Sequence, residues 1–316
     1  MKILITDKVA DEAVELLKKE GYEVIFDEMD HDALIRNIHE YDALMVRSRT
    51  KVTSDIIEAA EKLKVIGRAG IGVDNIDIKA ASKHGVKVVN APTGATDSVA
   101  ELAIAHMLSL SRHLTKADSA LKQGVWAKKQ LKGVELNGKT LGIVGAGRIG
   151  TALALKSQSF SMKILYTSRH RNQVLEEKLG AKKVSLEELL RSSDYVSLHV
   201  PLTDETYHLI GEKELKMMKP TAYIINCARG GIIDEEALYN ALKEDKIAGA
   251  ALDVFEEEPP KDNPLLTLDN VVVTPHLGAN TTEGQRRAGT VCAEQIIKVL
   301  KGEAPDYWVN RGLMES

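Results

Sequence analysis

The chain has 316 residues, 44 % hydrophobic and 28 % charged, a globular balance that excludes a disordered or low-complexity protein and by length leaves room for two domains. A net charge of −4 and a pI near 6.2 exclude a global attraction to nucleic acid or an anionic membrane, so any anion site must be local. Cys227 and Cys292 lie far apart without metal-ligand spacing, which excludes a disulfide framework and a zinc site, and no run approaches the ~18 apolar residues of a membrane span; a cytoplasmic chain without signal peptide is expected.

Short Val/Ile/Leu runs alternate with amphipathic stretches throughout, the mark of βαβ units around parallel sheets. Strands are expected first at KILIT (2–6), YEVIF (22–26), DALMV (42–46), KVIGR (64–68) and VKVVN (86–90), with helices between them. From Asp11 to Lys19, Ala13, Val14, Leu16 and Leu17 share one face and the pattern stops before Gly21, a helix with its C-terminal glycine. Ser98 to Arg112 is apolar nearly all round, as a helix buried between layers would be. A second series follows at TLGIVG (140–145), KILYT (163–167), DYVSLHV (194–200), AYIINCA (222–228), GAALDV (249–254) and VVVTP (271–275), six strands of one doubly wound sheet. A long helix, Thr282 to Leu300, and a short polar tail close the chain. Because the second sheet is complete at VVVTP, this helix is expected to pack back on the first domain. The fold class is therefore α/β, with two doubly wound parallel-sheet domains.

The strand at 140–145 runs into GAGRIG, which sets Gly145, Gly147 and Gly150 in G-x-G-x-x-G spacing. Alone the pattern is weak. Between a strand and a helix opening at Arg148, it forms a loop whose backbone N–H groups and helix N-terminus hold the pyrophosphate of a dinucleotide. An NAD enzyme then offers Asp or Glu to the ribose hydroxyls about 20 residues further on. Here LYTSRHR (165–171) stands instead. A carboxylate would repel a 2′-phosphate, whereas the hydroxyl of Ser168 and the guanidinium groups of Arg169 and Arg171 can hydrogen-bond and neutralise one. The cofactor expected is NADP, or NAD(P) without strict preference; a solvated basic turn is the alternative.

Three further segments end strands, where open α/β sheets bind ligands. They are NCARGGIID (226–234) with Arg229, DVFEEEPP (253–260) with Asp253 and three glutamates, and TPHLGAN (274–280) with His276. An arginine clamps a carboxylate, a histidine exchanges a proton near neutral pH, and a glutamate beside an imidazole favours its charged form. Singly these are a turn cap, an acidic loop and a core histidine. Together, beside a dinucleotide, they describe a site for reducing a 2-oxo acid.

In this order GAGRIG, HVPLTDET (199–206), NCARGGIIDEEAL (226–238), AALDVFEEEPP (250–260) and TPHLGA (274–279) resemble the signatures of the D-isomer-specific 2-hydroxyacid dehydrogenase family, over essentially the whole chain. The resemblance implies Arg229 as binder of the substrate carboxylate and carbonyl, His276 as general acid/base and Glu258, the acid before the proline, as its partner. It implies Asp253 at the nicotinamide carboxamide and Arg148 and Ile149 at the pyrophosphate. Val200, Pro201, Cys227, Ala228, His276 and Gly278 would line the cofactor cleft. It further implies a Rossmann dinucleotide-binding domain, 98–282, inserted in a flavodoxin-like substrate domain, 1–97 and 283–316, whose closure excludes water. A homodimer is usual in the family, and the segment after Ser98 would serve its interface unless it is buried within the monomer.

Within the family, VRSRTKVT (46–53), GRAGIGVDNID (67–77) and NAPTGATDSVAE (90–101) are most similar to the D-3-phosphoglycerate dehydrogenases. In that reading Arg47, with Ser48 and Arg49, faces a second anionic group on the substrate, and the backbone of Ala69 and Gly70 approaches its carboxylate. Because the chain stops shortly after the last helix, no carboxy-terminal regulatory domain and no serine feedback are expected. LYTSRHR, in contrast, resembles NADP-using glyoxylate and hydroxypyruvate reductases. The function expected is hydride transfer between nicotinamide and carbon 2 of a small D-2-hydroxy acid, D-3-phosphoglycerate first, in serine biosynthesis. The alternatives are a glyoxylate/hydroxypyruvate reductase or sulfolactate dehydrogenase using NADPH and, from another class, a dinucleotide-sensing corepressor-like binding protein. Formate dehydrogenases pair their histidine with glutamine, which Glu258 argues against.

Overall fold

The computed structural model describes residues 1–315. The chain forms two compact units, Met1–Thr96 with the segment from Ala279 onward, and Asp97–Gly278.

In the first unit β1 (Lys2–Ile5), β2 (Glu23–Phe26), β3 (Ala43–Val46), β4 (Val65–Arg68) and β5 (Lys87–Asn90) form a parallel sheet in the order β2-β1-β3-β4-β5, the flavodoxin-like order. Successive residues serve opposite faces. Ile3 and Ile5 join Met45, Val65 and Val89 in one layer, and Leu4 joins Leu44, Ile66 and Val88 in the other.

The helix Asp11–Lys19 has Asp11 and Glu12 in its first turn and Lys18 and Lys19 in its last, which suits the helix dipole. It ends where Gly21, at φ +84°, turns its N–H onto the Lys18 carbonyl at 2.9 Å. The helix Thr282–Leu300 is capped by the Thr281 hydroxyl, which accepts the Gly284 N–H at 2.9 Å. As expected, it packs on the first sheet: Ala288, Cys292, Ala293 and Ile296 join the layer of Ile3 and Ile5. A Cβ at Gly67 on β4 would lie 2.6 Å from Ile296 Cδ1 and 2.7 Å from Cys292 Sγ. That glycine lets the helix settle on the sheet, where each buried aliphatic side chain contributes about 1.5–3 kcal/mol.

The short polar tail after this helix docks on the first sheet. Trp308 bridges Val89, and Asn310, buried, accepts the Val88 N–H at 2.8 Å and donates to the Val86 carbonyl at 2.9 Å. One amide thereby satisfies the edge of β5, a role that composition does not show.

The second unit has seven parallel strands: β6 (Thr140–Val144), β7 (Lys163–Thr167), β8 (Lys182–Lys183), β9 (Tyr195–Leu198), β10 (Tyr223–Asn226), β11 (Gly249–Leu252) and β12 (Val271–Val273). Their order is β12-β11-β10-β9-β6-β7-β8, the doubly wound Rossmann arrangement, which reverses between β6 and β9. Six strands were expected; the seventh, β8, is two lysines at the edge with no apolar run to announce it. The helix Thr96–Arg112 buries Val99, Ala100, Ala103, His106, Met107 and Leu110, so its apolar character is accounted for within the monomer. It stops at His113, at φ 52°. Among the described residues no helix is long and apolar enough to cross a membrane.

Candidate active site

The glycine loop leaves β6 at the point where the sheet order reverses. Gly145 has φ +99°, and a Cβ there would lie 2.5 Å from the His199 carbonyl oxygen; only glycine makes this turn. A Cβ at Gly150 would lie 2.3 Å from the Gly145 oxygen, so glycine also lets the helix Arg148–Ser157 approach its strand. Gly147 has open space beside it and caps that helix without a side chain. The cradle fits a dinucleotide pyrophosphate: close backbone, a helix N-terminus with no side-chain cap, and open space beside Gly147. Gly147 and Arg148 are exposed, and Ile149 is half-buried. Asn172 went unnoticed in the sequence. Its Nδ2 donates to the Ala146 carbonyl at 2.9 Å and to Thr151 Oγ1 at 2.7 Å, tying the loop to the turn after β7.

In that turn the two arginines are not equivalent. Arg171 holds Glu176 through Nε and a terminal nitrogen at 3.2 and 2.6 Å, and Glu176 also accepts the buried Tyr166 hydroxyl at 2.5 Å. The Arg171 hydrogen bond and then that of Tyr166 keep the Glu176 carboxyl below its usual value. Arg169 meets Glu205 in a pair whose side chains are each 76 % exposed, which contributes little and exchanges readily. Ser168 donates to the His170 carbonyl. Of the two arginines, Arg169 is therefore the one more readily turned to a phosphate.

On the neighbouring strand ends, Asn226 closes β10. Its Oδ1 accepts the Ala228 N–H at 3.0 Å and its Nδ2 donates to the Arg229 carbonyl at 2.8 Å, so a buried asparagine shapes the loop that carries half-buried Arg229. A Cβ at Gly230 would lie 1.8 Å from the Phe255 carbonyl oxygen. The Arg229 loop thus lies directly on the glutamate segment. Of the three glutamates, Glu256 turns away, to the Glu235 N–H at 3.2 Å and His208 Nε2 at 3.0 Å. Glu258 turns inward: its Oε2 meets His276 Nδ1 at 2.8 Å and its Oε1 accepts the Phe255 N–H at 3.2 Å. Burial pushes the Glu258 carboxyl up, but the hydrogen bond and charge of His276, the Phe255 N–H and the charge of Arg229 outweigh it and hold it below its usual value.

His276 adopts φ 52°, unusual for a side chain with a Cβ. The conformation is held by Asp253, which is 1 % exposed. The Asp253 carbonyl accepts the His276 N–H at 2.8 Å. Its carboxylate accepts Thr274 Oγ1 at 2.6 Å, the Leu277 N–H at 2.7 Å and the Gly278 N–H at 2.8 Å. The side chain that the sequence reading sends to the nicotinamide carboxamide thus has both oxygens engaged in building the His276 turn. The imidazole is exposed, and with Nδ1 on Glu258 its Nε2 is left for a reactant. Val200, Pro201, Cys227 and Ala228 follow the ends of β9 and β10, where the sequence reading puts the cofactor cleft.

In the first unit, buried Asp7, 4 % exposed, organises the loop after β3. It accepts the Arg47 N–H at 2.5 Å, Thr50 Oγ1 at 2.9 Å and Arg49 Nε at 3.0 Å. Arg49 also donates to the Thr6 carbonyl, so its guanidinium helps hold this loop together, a role the sequence did not show. The Arg47 guanidinium donates to the Lys8 carbonyl at 3.2 Å, and Ser48 is exposed. Ala69 and Gly70 are buried. The space a Cβ would take at Gly70 is filled by the Arg68 guanidinium, 1.5 Å away, a local reason for that glycine which the sequence did not show.

A doubly wound dinucleotide fold with an arginine, a glutamate and a histidine converging on one sheet edge defines the oxidoreductase class to which the comparisons point. The family model "D-isomer specific 2-hydroxyacid dehydrogenase, NAD binding domain" matches residues 104–278, more than half of the chain. The chain belongs to the D-isomer specific 2-hydroxyacid dehydrogenase family. It is 51 % identical over 98 % of its length to D-3-phosphoglycerate dehydrogenase of Methanocaldococcus jannaschii, of which it spans only 59 %. To hydroxypyruvate reductase of Thermotoga maritima it is 48 % identical, over 95 % of this chain and 98 % of that one. A D-lactate dehydrogenase from Aquifex aeolicus, solved with NAD and lactic acid, superposes with a TM-score of 0.85 at 30 % identity, covering 96 % of both chains.

Proposed function

We propose that the protein is an NAD(P)-dependent D-2-hydroxyacid dehydrogenase, acting first on D-3-phosphoglycerate and 3-phosphohydroxypyruvate. The observation that carries the reading is the 2.8 Å contact of His276 Nδ1 with Glu258 Oε2, in a site where Arg229 lowers the Glu258 carboxyl further. In this reading Asp97–Gly278 is the dinucleotide domain and the remainder the substrate domain. The dinucleotide, held at Gly145, Gly147, Arg148, Ile149 and Gly150, supplies or accepts the hydride. Arg229 binds the substrate carboxylate and stabilises charge on the carbonyl oxygen. His276 Nε2 gives a proton to that oxygen in reduction and takes it back in oxidation, while Glu258 steadies the charged ring. Arg47, beside Ser48, reads the phosphate, and the backbone at Ala69 and Gly70 contacts the carboxylate.

A second reading has its own observation. No carboxylate follows β7, and the weakly paired Arg169 beside Ser168 suits a 2′-phosphate, which favours NADPH and an unphosphorylated acid such as hydroxypyruvate or glyoxylate. Two buried free cysteines suit the cytoplasm. A homodimer is supported by exposed Leu114, Leu121, Val125 and Trp126, the last 79 % exposed. Initial rates with phosphohydroxypyruvate, hydroxypyruvate, glyoxylate and sulfopyruvate, each with NADH and NADPH, test the assignment. Preference for the phosphorylated acid supports the first reading, and preference for hydroxypyruvate or glyoxylate with NADPH the second. No turnover of any would return the chain to a dinucleotide-sensing binding protein.

A further inference from the structure

The apolar helix Thr96–Arg112 carries one imidazole inward: His106 is 2 % exposed, and Ala103, Met107 and Leu110 on the same helix are also buried. Its Nε2 lies 3.2 Å from Thr274 Oγ1 and its Nδ1 3.5 Å from Cys227 Sγ, while Thr274 Oγ1 lies 2.6 Å from Asp253 Oδ1. The chemistry of these atoms fixes every proton. A carboxylate only accepts, so the Thr274 hydroxyl donates to Asp253. Thr274 has no second hydrogen, so it accepts from His106, whose proton sits on Nε2. Burial makes a second proton on His106 unfavourable, against a smaller opposing pull from Asp253, and burial likewise pushes the Cys227 thiol up. The neutral Nδ1 therefore accepts the Cys227 S–H. The chain Cys227, His106, Thr274, Asp253 is fully ordered in one direction.

Each partner stands where a strand ends in the site. Cys227 follows β10 and precedes the loop of Arg229, Asp253 follows β11, and Thr274 follows β12 two residues before His276. Asp253 also receives the N–H groups of Leu277 and Gly278. We propose that His106 is a positioning residue that fixes, through Thr274 and Asp253, the turn presenting His276 and, through Cys227, the loop presenting Arg229. The role rests on the reading of His276 as the proton donor. A core position without such a task would be served by leucine, which leaves no buried polar atom to satisfy.

Three substitutions in the full chain test it. His106→Leu removes both contacts, Thr274→Val removes the hydroxyl at nearly constant shape, and His106→Gln places an amide nitrogen near the Nε2 position to donate to Thr274. The first two should lower kcat about 10-fold to 10²-fold, the scale of a small misplacement of reacting groups, with dinucleotide affinity unchanged. The glutamine variant should recover most of the loss, and the double variant His106→Leu/Thr274→Val should be no worse than the poorer single one. A His106→Leu enzyme with undiminished kcat, or a double variant whose loss is the product of the two, overturns the proposal. Nitrogen NMR of the labelled whole protein reads the chain without any substrate. A single neutral Nε2–H tautomer of His106 that shifts in Thr274→Val supports the ordering, and an Nδ1–H tautomer contradicts it. Failure of the reading beneath it shows separately, as a His276→Ala enzyme that keeps its turnover.

Discussion

His276 and Glu258 lie 18 residues apart and meet through Nδ1 and Oε2 at 2.8 Å, with Asp253 holding the histidine's backbone at φ 52°. In the proposed reaction the pair works only if its carboxylate stays charged. Glu258→Gln keeps the shape and removes the charge, so kcat for reduction should fall about 10-fold to 10²-fold, the worth of a charge-assisted hydrogen bond. The Glu258 carboxyl is held below its usual 4.5, so its contribution to folding is complete above that pH and fades as pH falls through the depressed value. His276→Gln should move the Glu258 titration upward, which carbon NMR of the labelled carboxyl measures; an unmoved titration would separate the two residues.

His199 should make the fold acid-sensitive. Its ring donates or accepts at Ser197 Oγ over 2.8 Å, its Nδ1 is buried, and burial lowers its pKa from 6.5 to about 4. The unfolded chain binds this proton below pH 6.5 and the folded one does not until about 4, so stability falls with pH across that window, by roughly 3 kcal/mol at most. In urea titrations between those limits, His199→Gln should flatten the decline. An equally steep decline in the variant would point to another group.

Arg169 and Arg171 should separate in cofactor kinetics. Arg169→Ala should raise KM for NADPH about tenfold and leave KM for NADH within about twofold, as loss of one phosphate contact would. Arg171→Ala, which frees Glu176 beneath Tyr166, should instead lower thermal stability. Equal effects of Arg169→Ala on both cofactors would remove Arg169 from the 2′-phosphate.

Arg47 and Arg49 should separate as well. Arg49→Gln leaves buried Asp7 without its ion-pair partner and should cost about 1 kcal/mol of stability, since the arginine is half exposed. Arg47→Gln should leave stability unchanged and raise KM for phosphohydroxypyruvate at least about tenfold, with little effect on glyoxylate. A variant that loses both substrates alike would place Arg47 outside phosphate recognition.

Both sheets were legible because parallel strands buried on two faces read as continuous apolar runs, as KILIT and VVVTP do. β8 was not, since its residues are Lys182 and Lys183 at a sheet edge. GAGRIG could be read because its glycines answer to backbone geometry: Gly145 to a positive φ and Gly150 to a close oxygen. The supporting shell was hidden. Asn226, Thr274 and Asn172 act through partners 2 to 168 residues distant, and no local pattern marks such contacts. His106 did leave a trace, as the one imidazole in an apolar helix. The bond of Arg49 to Asp7 was hidden because an arginine at a strand end looks alike whether it faces a ligand or a buried aspartate.

The central claim is that His276 moves the proton. The measurement is single-turnover reduction of the best oxo acid by His276→Ala, with dinucleotide affinity followed in parallel. The chemical step should slow by roughly 10²-fold to 10⁴-fold with dinucleotide binding intact. A variant that reduces the acid at near the original rate would contradict it.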